Sequence, residues 1–92
     1  MIKSFKNKDA EKIFDGQYSK KYSNLQNIIK RKLDMIHFAH SKQDLIVPPS
    51  NRFENLQGDL KEYYSIRIND QYRIIFQFKD GNAENVYIDD YH

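Results

Sequence analysis

Two groups of residues in this chain have the types and spacing to do chemistry. Arg67 and Arg73 flank the turn residues Asn69-Asp70-Gln71 inside a stretch of alternating apolar residues. A β-hairpin with a three-residue turn there pairs Ile68 with Tyr72 and Arg67 with Arg73. Like charges directly opposed across a sheet cost a few tenths to about 1 kcal/mol. A bound anion offsets that cost, and paired guanidinium groups suit a phosphate. The competing reading is ion pairing of each Arg with a nearby acid such as Asp89 or Glu62. The second group is the end of the sequence, Asp89-Asp90-Tyr91-His92. Histidine donates and accepts protons near neutral pH, an adjacent carboxylate can orient it or take a proton, and tyrosine can stack on a base. Here the alternative is a strand end with Tyr91 packed and His92 exposed.

Other candidates carry less. His37 and His40 have the i, i+3 spacing that permits shared metal ligation, but no Asp or Glu stands at matching helical spacing. They are read as surface or edge residues, with no metal site. The three glycines, Gly16, Gly58 and Gly81, are isolated, so no glycine-rich loop cradles a nucleotide and no cofactor is expected. No Ser sits in a recognisable nucleophile turn.

The elements that must position these residues follow from the pattern. Asn7 caps a helix over Lys8 to Asp15, with Ala10, Ile13 and Phe14 on one face and Gly16 at its C-terminal stop. Ser23 and Gln26 have capping-box spacing. Leu25, Ile28, Ile29, Leu33 and Ile36 then recur as in a helix running to about Ala39, whose outer face carries Lys30, Arg31, Lys32 and Asp34. Pro48-Pro49 ends the helical half. Beyond it the period is two: a short strand within Arg52 to Leu56, then strands around Tyr64–Ile68, Tyr72–Phe78 and Val86–Ile88. Ile2 to Phe5 is a possible edge strand. A three-residue turn at Asp80-Gly81-Asn82 pairs Phe76 with Val86 and Ile74 with Ile88. One face then carries Ile66, Ile68, Ile74, Phe76, Val86 and Ile88 and receives the helices. The other carries Ser65, Arg67, Arg73, Gln77, Tyr87 and Asp89. The expectation is an α+β fold, an N-terminal helical hairpin on an antiparallel-rich sheet.

Length and composition agree. The chain has 92 residues, enough for one domain over 1–92. Hydrophobic residues make up 39% and aromatics 14%, which argues against disorder despite 30% charged residues. With no cysteine, no disulfide framework or thiol nucleophile is available. The start lacks the apolar stretch that export needs, so a cytoplasmic location is expected, with no membrane role. The net charge of +2 is unevenly spread: residues 1–46 hold ten Lys and Arg against five Asp and Glu, whereas 47–92 hold five against eight. A basic first half can face nucleic acid or can simply be a solvated helix pair.

Met1-Ile2-Lys3-Ser4-Phe5, Leu56-Gln57-Gly58-Asp59, Ser65-Ile66-Arg67-Ile68-Asn69, Tyr72-Arg73-Ile74-Ile75-Phe76-Gln77-Phe78 and Asp90-Tyr91-His92, in that order, resemble HigB-type toxins of the RelE/ParE superfamily. The resemblance covers the whole chain. It implies the RelE-like fold and the toxin of a type II toxin–antitoxin module. The implied activity is a metal-independent endoribonuclease that cuts mRNA in the ribosomal A site, inhibiting translation and growth. Its implied partner is a HigA-type helix-turn-helix antitoxin. By position, Arg73 matches the family's phosphate-stabilising arginine, and Asp90, Tyr91 and His92 match its C-terminal catalytic trio. Lys30, Arg31 and Lys32 would lie against rRNA phosphates, and Arg67 would contact the RNA strand.

The family's usual His-Pro-Leu-Lys-Gly-Asp is replaced by Glu54-Asn55-Leu56-Gln57-Gly58-Asp59. Gln57 supplies neither charge nor protons. Glu54 can act as a base but repels phosphate. Both positions remain RNA-binding candidates. The pattern resembles a milder, GraT-type subgroup and points to weak cleavage or another target. A toxin of the same fold acting on DNA gyrase is the alternative. Strict alternation also puts Asp89, not Asp90, on the Arg67/Arg73 face. A bulge or fraying near the chain end would bring Asp90 there.

Overall fold

The computed structural model describes residues 1–91. Helix α1 spans Lys8–Phe14 and begins where Asn7, in extended conformation, accepts a hydrogen bond from the Ala10 amide. It stops in a Schellman turn: Gln17 N–H donates to Lys12 O at 2.8 Å and Gly16 N–H to Ile13 O at 3.0 Å. Gly16 has a φ of 84°, a conformation that favours glycine. Helix α2 spans Gln26–Phe38, after a 3-10 segment over Lys20–Leu25. The expected capping box is absent, because Ser23 lies inside the 3-10 segment. Gln26 instead accepts from the Ser19 amide and donates to Gln17 O, tying the α1–α2 connection together. One short helix, α3 over Gln43–Ile46, was not apparent from the pattern; four residues are too few for periodicity to register.

Four strands form an antiparallel sheet in the order β1 (Glu54–Asn55), β2 (Tyr63–Arg67), β3 (Tyr72–Lys79) and β4 (Asn82–Asp90). The first hairpin has the expected register, with Ile66 opposite Ile74 and Arg67 opposite Arg73. The second hairpin corrects the expected turn. Lys79 pairs with Asn82, leaving a two-residue Asp80-Gly81 turn with φ of 54° and 78°. An extra residue then enters β4: Ile75 pairs with Tyr87 but Gln77 pairs with Glu84. Asn85, at φ 54°, takes up this bulge, donating to the Gln77 side chain while its amide donates to Ser4 Oγ. The bulge compensates for the shorter turn, so Ile74 still faces Ile88 as expected.

Ile2 and Phe5 add isolated parallel bridges to Ala83 and Val86 at the β4 edge. The inner sheet face carries Ile66, Ile68, Ile74, Phe76, Val86 and Ile88 against Ala10, Ile13, Ile29, Leu33 and Ile36 of the helices. Burial of this apolar surface is the main stabilising term. It leaves the opposite sheet face uncovered by helices.

Candidate functional site

The strands set the uncovered face in rows, because alternate residues share a side. Arg67, Arg73 and Asp89 form one row across β2, β3 and β4. Ser65, Ile75 and Tyr87 form the next, with Glu54 of β1 opposite Ser65. Tyr63, Gln77 and Glu84 form the third. This face is less polar than the sequence reading supposed. Ile75 and Ser65 are both 0% exposed, so an apolar floor underlies the charged rim.

The first row sets two guanidinium side chains beside a carboxylate. The Tyr91 ring lies over Arg73, 5.2 Å from guanidinium carbon to ring centroid. Among the described residues, Arg73 Nε and the Tyr91 hydroxyl are both buried without a hydrogen-bond partner, as is Ser65 Oγ. Buried polar groups are nearly always paired, so these three atoms on one face are the ones most in need of a polar partner. Burial pushes the Tyr91 phenol above the usual tyrosine range. The Glu54 carboxylate adds to this, while Arg73, Arg67 and Arg52 pull the other way. The phenol therefore stays a proton donor at neutral pH. Tyr87 is raised too, by burial first and then by Asp89 and Tyr63, against Arg73. Lys6 Nζ sits over the Tyr87 and Tyr63 rings at 4.9 and 5.6 Å. Arg67 is ion-paired to Asp70 in the hairpin turn, not to Asp89 or Glu62.

Of the residues singled out from the sequence, Arg67, Arg73, Tyr91 and Glu54 come together. Asp90 does not: it pairs with Tyr72, and Tyr91 N–H continues the ladder to Gln71 O at 2.8 Å, so no bulge turns Asp90 toward Arg73. Asp89 stands on the Arg73 face, and its carboxylate accepts from the Asp90 amide. His92 lies outside the described residues. Gln57 is exposed just before the Gly58–Leu60 turn. Lys30 is held by Asp34 at 2.7 Å and lies over Phe14. Arg31 is exposed on α2. Lys32 corrects the expectation of a solvated basic face. It is 7% exposed and donates to Asn51 Oδ1, and burial, then Arg31 and Arg67, lowers its pKa. It lies one position before Leu33 on the buried stripe, and its long stem lets it join that stripe.

His37 Nδ1 accepts from the Ile2 amide at 3.1 Å, and its ring packs on Phe14 and Phe38, so its role is structural. Among the described residues, no three His, Cys, Asp or Glu side chains gather in a way that could hold a metal ion. Among the described residues, no helix is long and apolar enough to cross a membrane.

Residues 3–92 match the family model described as the RelE-like toxin of the type II toxin–antitoxin system HigB. The chain belongs to the HigB-like toxin family. It is 43% identical over 91 residues to Toxin HigB-1 of Vibrio cholerae, covering 97% of this chain and 96% of that one. It is 40% identical over 76 residues to an uncharacterized Haemophilus influenzae protein, covering 83% of this chain and 75% of that one. Among solved structures, the Staphylococcus aureus YoeB–YefM toxin–antitoxin complex matches with a TM-score of 0.62 at 22% identity, over 100% of this chain and 98% of that one. YafQ from Escherichia coli matches with a TM-score of 0.60 at 16% identity, over 94% and 89%. These two likenesses concern the fold, and they agree with the α+β architecture described above.

Proposed function

We propose that this HigB-like toxin is an endoribonuclease that cuts mRNA in the ribosomal A site without a metal ion. The observation that carries the reading is the opposed Arg67–Arg73 pair, beside two donors, Arg73 Nε and the Tyr91 hydroxyl, that have no partner among the described residues. The ribose 2′-hydroxyl attacks the adjacent phosphorus, the bond from phosphorus to the 5′-oxygen breaks, and a cyclic phosphate and a 5′-hydroxyl result. Arg73 carries the negative charge that grows on the non-bridging oxygens. Tyr91, protonated and close to Arg73, donates to a phosphate oxygen. Glu54, whose charge acts on this phenol, takes the 2′-hydroxyl proton in this reading. His92 supplies the proton for the leaving oxygen, as the family resemblance implies. Asp90 joins the proton transfers only by leaving its ladder position opposite Tyr72.

The acid–base set is incomplete without an ordered substrate, so the ribosome supplies the positioning, worth several kcal/mol when a strand is held in near-attack geometry. A HigA-type helix-turn-helix antitoxin neutralises the toxin. The YoeB–YefM complex supports that reading, as a toxin of this fold assembled with an antitoxin. Primer extension on mRNA after induction tests the function. Cuts within translated codons are expected. Intact mRNA together with DNA damage would instead point to a gyrase target.

A further inference from the structure

Arg52 has no role in the reading from sequence. It stands two residues before Glu54, which pairs with Ser65. The Pro49–Asn51 turn that Arg52 ends packs on β2, the strand that sets Arg67 opposite Arg73. The Arg52 charge acts on the Tyr91 phenol in the same direction as those of Arg73 and Arg67. Arg52 ends the Pro49–Asn51 turn at φ 45° and ψ 53°, is exposed, and makes no ion pair among the described residues.

The residue before it is an anchor. Asn51 is 0% exposed, accepts from the Lys32 ammonium, and donates to Leu45 O at 3.1 Å. Asn51 N–H reaches Pro48 O and Arg52 N–H reaches Pro49 O, both at 3.0 Å. Lys32 is a buried cation whose named partner is a neutral amide, a costly choice for stability alone. Its effect is to fix the entry to β1 from α2.

We propose that Arg52 is a third phosphate-binding cation of the RNA site, brought beside the Arg67–Arg73 pair by the Pro49–Asn51 turn that packs on β2 and held there by the buried Lys32–Asn51 pair. This deepens the ribonuclease reading and rests on it. Arg67 is already ion-paired to Asp70, and Glu54 adds negative charge beside Tyr91. Arg52 offsets Glu54 and restores a net positive row for the strand. Lys32 acts as a positioning residue, not as a contact.

The test is binding of a 2′-O-methyl RNA hexamer, which cannot be cut, followed by anisotropy across a range of salt. Each phosphate contact to a single strand contributes about 0.7 to the slope of log K against log salt. Arg52→Ala should weaken binding several-fold and flatten the slope by about that amount, and Arg52→Lys should restore the slope. Lys32→Met leaves Asn51 Oδ1 unpaired and should lower the melting temperature; in protein still folded at the assay temperature it should also flatten the slope. A merely structural Lys32 would change the melting temperature and leave the slope alone. Arg52→Ala with the wild-type slope overturns the proposal, and so does a wild-type protein whose hexamer binding is insensitive to salt. Wild-type binding that loses slope in Arg52→Ala, with no cleavage of ribosome-bound mRNA, would sink the ribonuclease reading and leave the Arg52 contact standing.

Discussion

Arg73 lies against the face of the Tyr91 ring, with 5.2 Å between its guanidinium carbon and the ring centroid. A cation–π contact of this kind contributes about 0.5–1 kcal/mol at a partly exposed site. It also covers one side of Arg73, whose Nε has no partner among the described residues. The guanidinium is therefore held in place by a contact that uses none of its hydrogen-bond donors.

Replacing Arg73 separates these effects. Arg73→Ala loses the contact with Tyr91 but relieves the opposition to Arg67, and each is worth at most about 1 kcal/mol. The unfolding free energy measured by urea denaturation should stay within about 1 kcal/mol of wild type. Cleavage of ribosome-bound mRNA should fall by about a hundred- to a thousandfold. Undiminished toxicity from a stably expressed Arg73→Ala protein would remove phosphate stabilisation from the mechanism.

Tyr91 gives a pH-dependent prediction. Its folded pKa is raised, chiefly by burial, so the unfolded chain releases this proton more readily. Stability from the group is complete below the unfolded value of about 10 and is lost as pH rises through the folded value. Tyr22 and Tyr87 are raised in the same direction, also chiefly by burial. Wild-type protein should lose stability between about pH 9 and pH 11, and Tyr91→Phe should lose less. At neutral pH, Tyr91→Phe should be at least as stable as wild type, since it removes a buried hydroxyl with no partner among the described residues. Equal alkaline losses in the two proteins would show that this phenol is not perturbed by the fold.

The sequence made the inner face legible because its signal is redundant. Ile66, Ile68, Ile74 and Ile88 specify one register, and a one-residue slip would expose them all. The second turn was legible only in outcome. A two-residue turn plus a bulge gives the same Ile74–Ile88 pairing as a three-residue turn, and alternation cannot tell them apart. The site was partly legible for a similar reason. Arg67 and Arg73 sit on two long strands whose alternation fixes their side. Arg52 follows two prolines and precedes a two-residue strand, where no period exists to read. Lys32 was misplaced because its charge suggested solvent, whereas its position beside Leu33 on the buried stripe was the better guide.

The bulge makes its own prediction. Asn85 holds a φ of 54° and donates to the Gln77 side chain. Asn85→Gly should keep the backbone and lose only the side-chain hydrogen bond, about 1 kcal/mol. Asn85→Val must place a β-branched residue in the left-handed region and should cost about 2 kcal/mol or more. Denaturant midpoints that rank Val above Gly would contradict the bulge geometry.

The sharpest prediction concerns His92, whose role rests on the family resemblance and the chemistry of imidazole. His92 follows Tyr91, whose amide donates to Gln71 O. If it supplies the leaving-group proton, His92→Gln should keep the melting temperature and lower single-turnover cleavage on ribosomes by about a hundredfold. Asp90→Asn belongs beside it, because Asp90 is ladder-paired opposite Tyr72 and away from Arg73. On that geometry Asp90→Asn should lower cleavage far less than His92→Gln, and Glu54→Gln should lower it more than Asp90→Asn. All three variants should be compared at equal folded concentration. Wild-type cleavage by His92→Gln would end the proposed acid role of His92. A loss in Asp90→Asn as large as in His92→Gln would show that the chain end rearranges on the ribosome, bringing Asp90 to the phosphate.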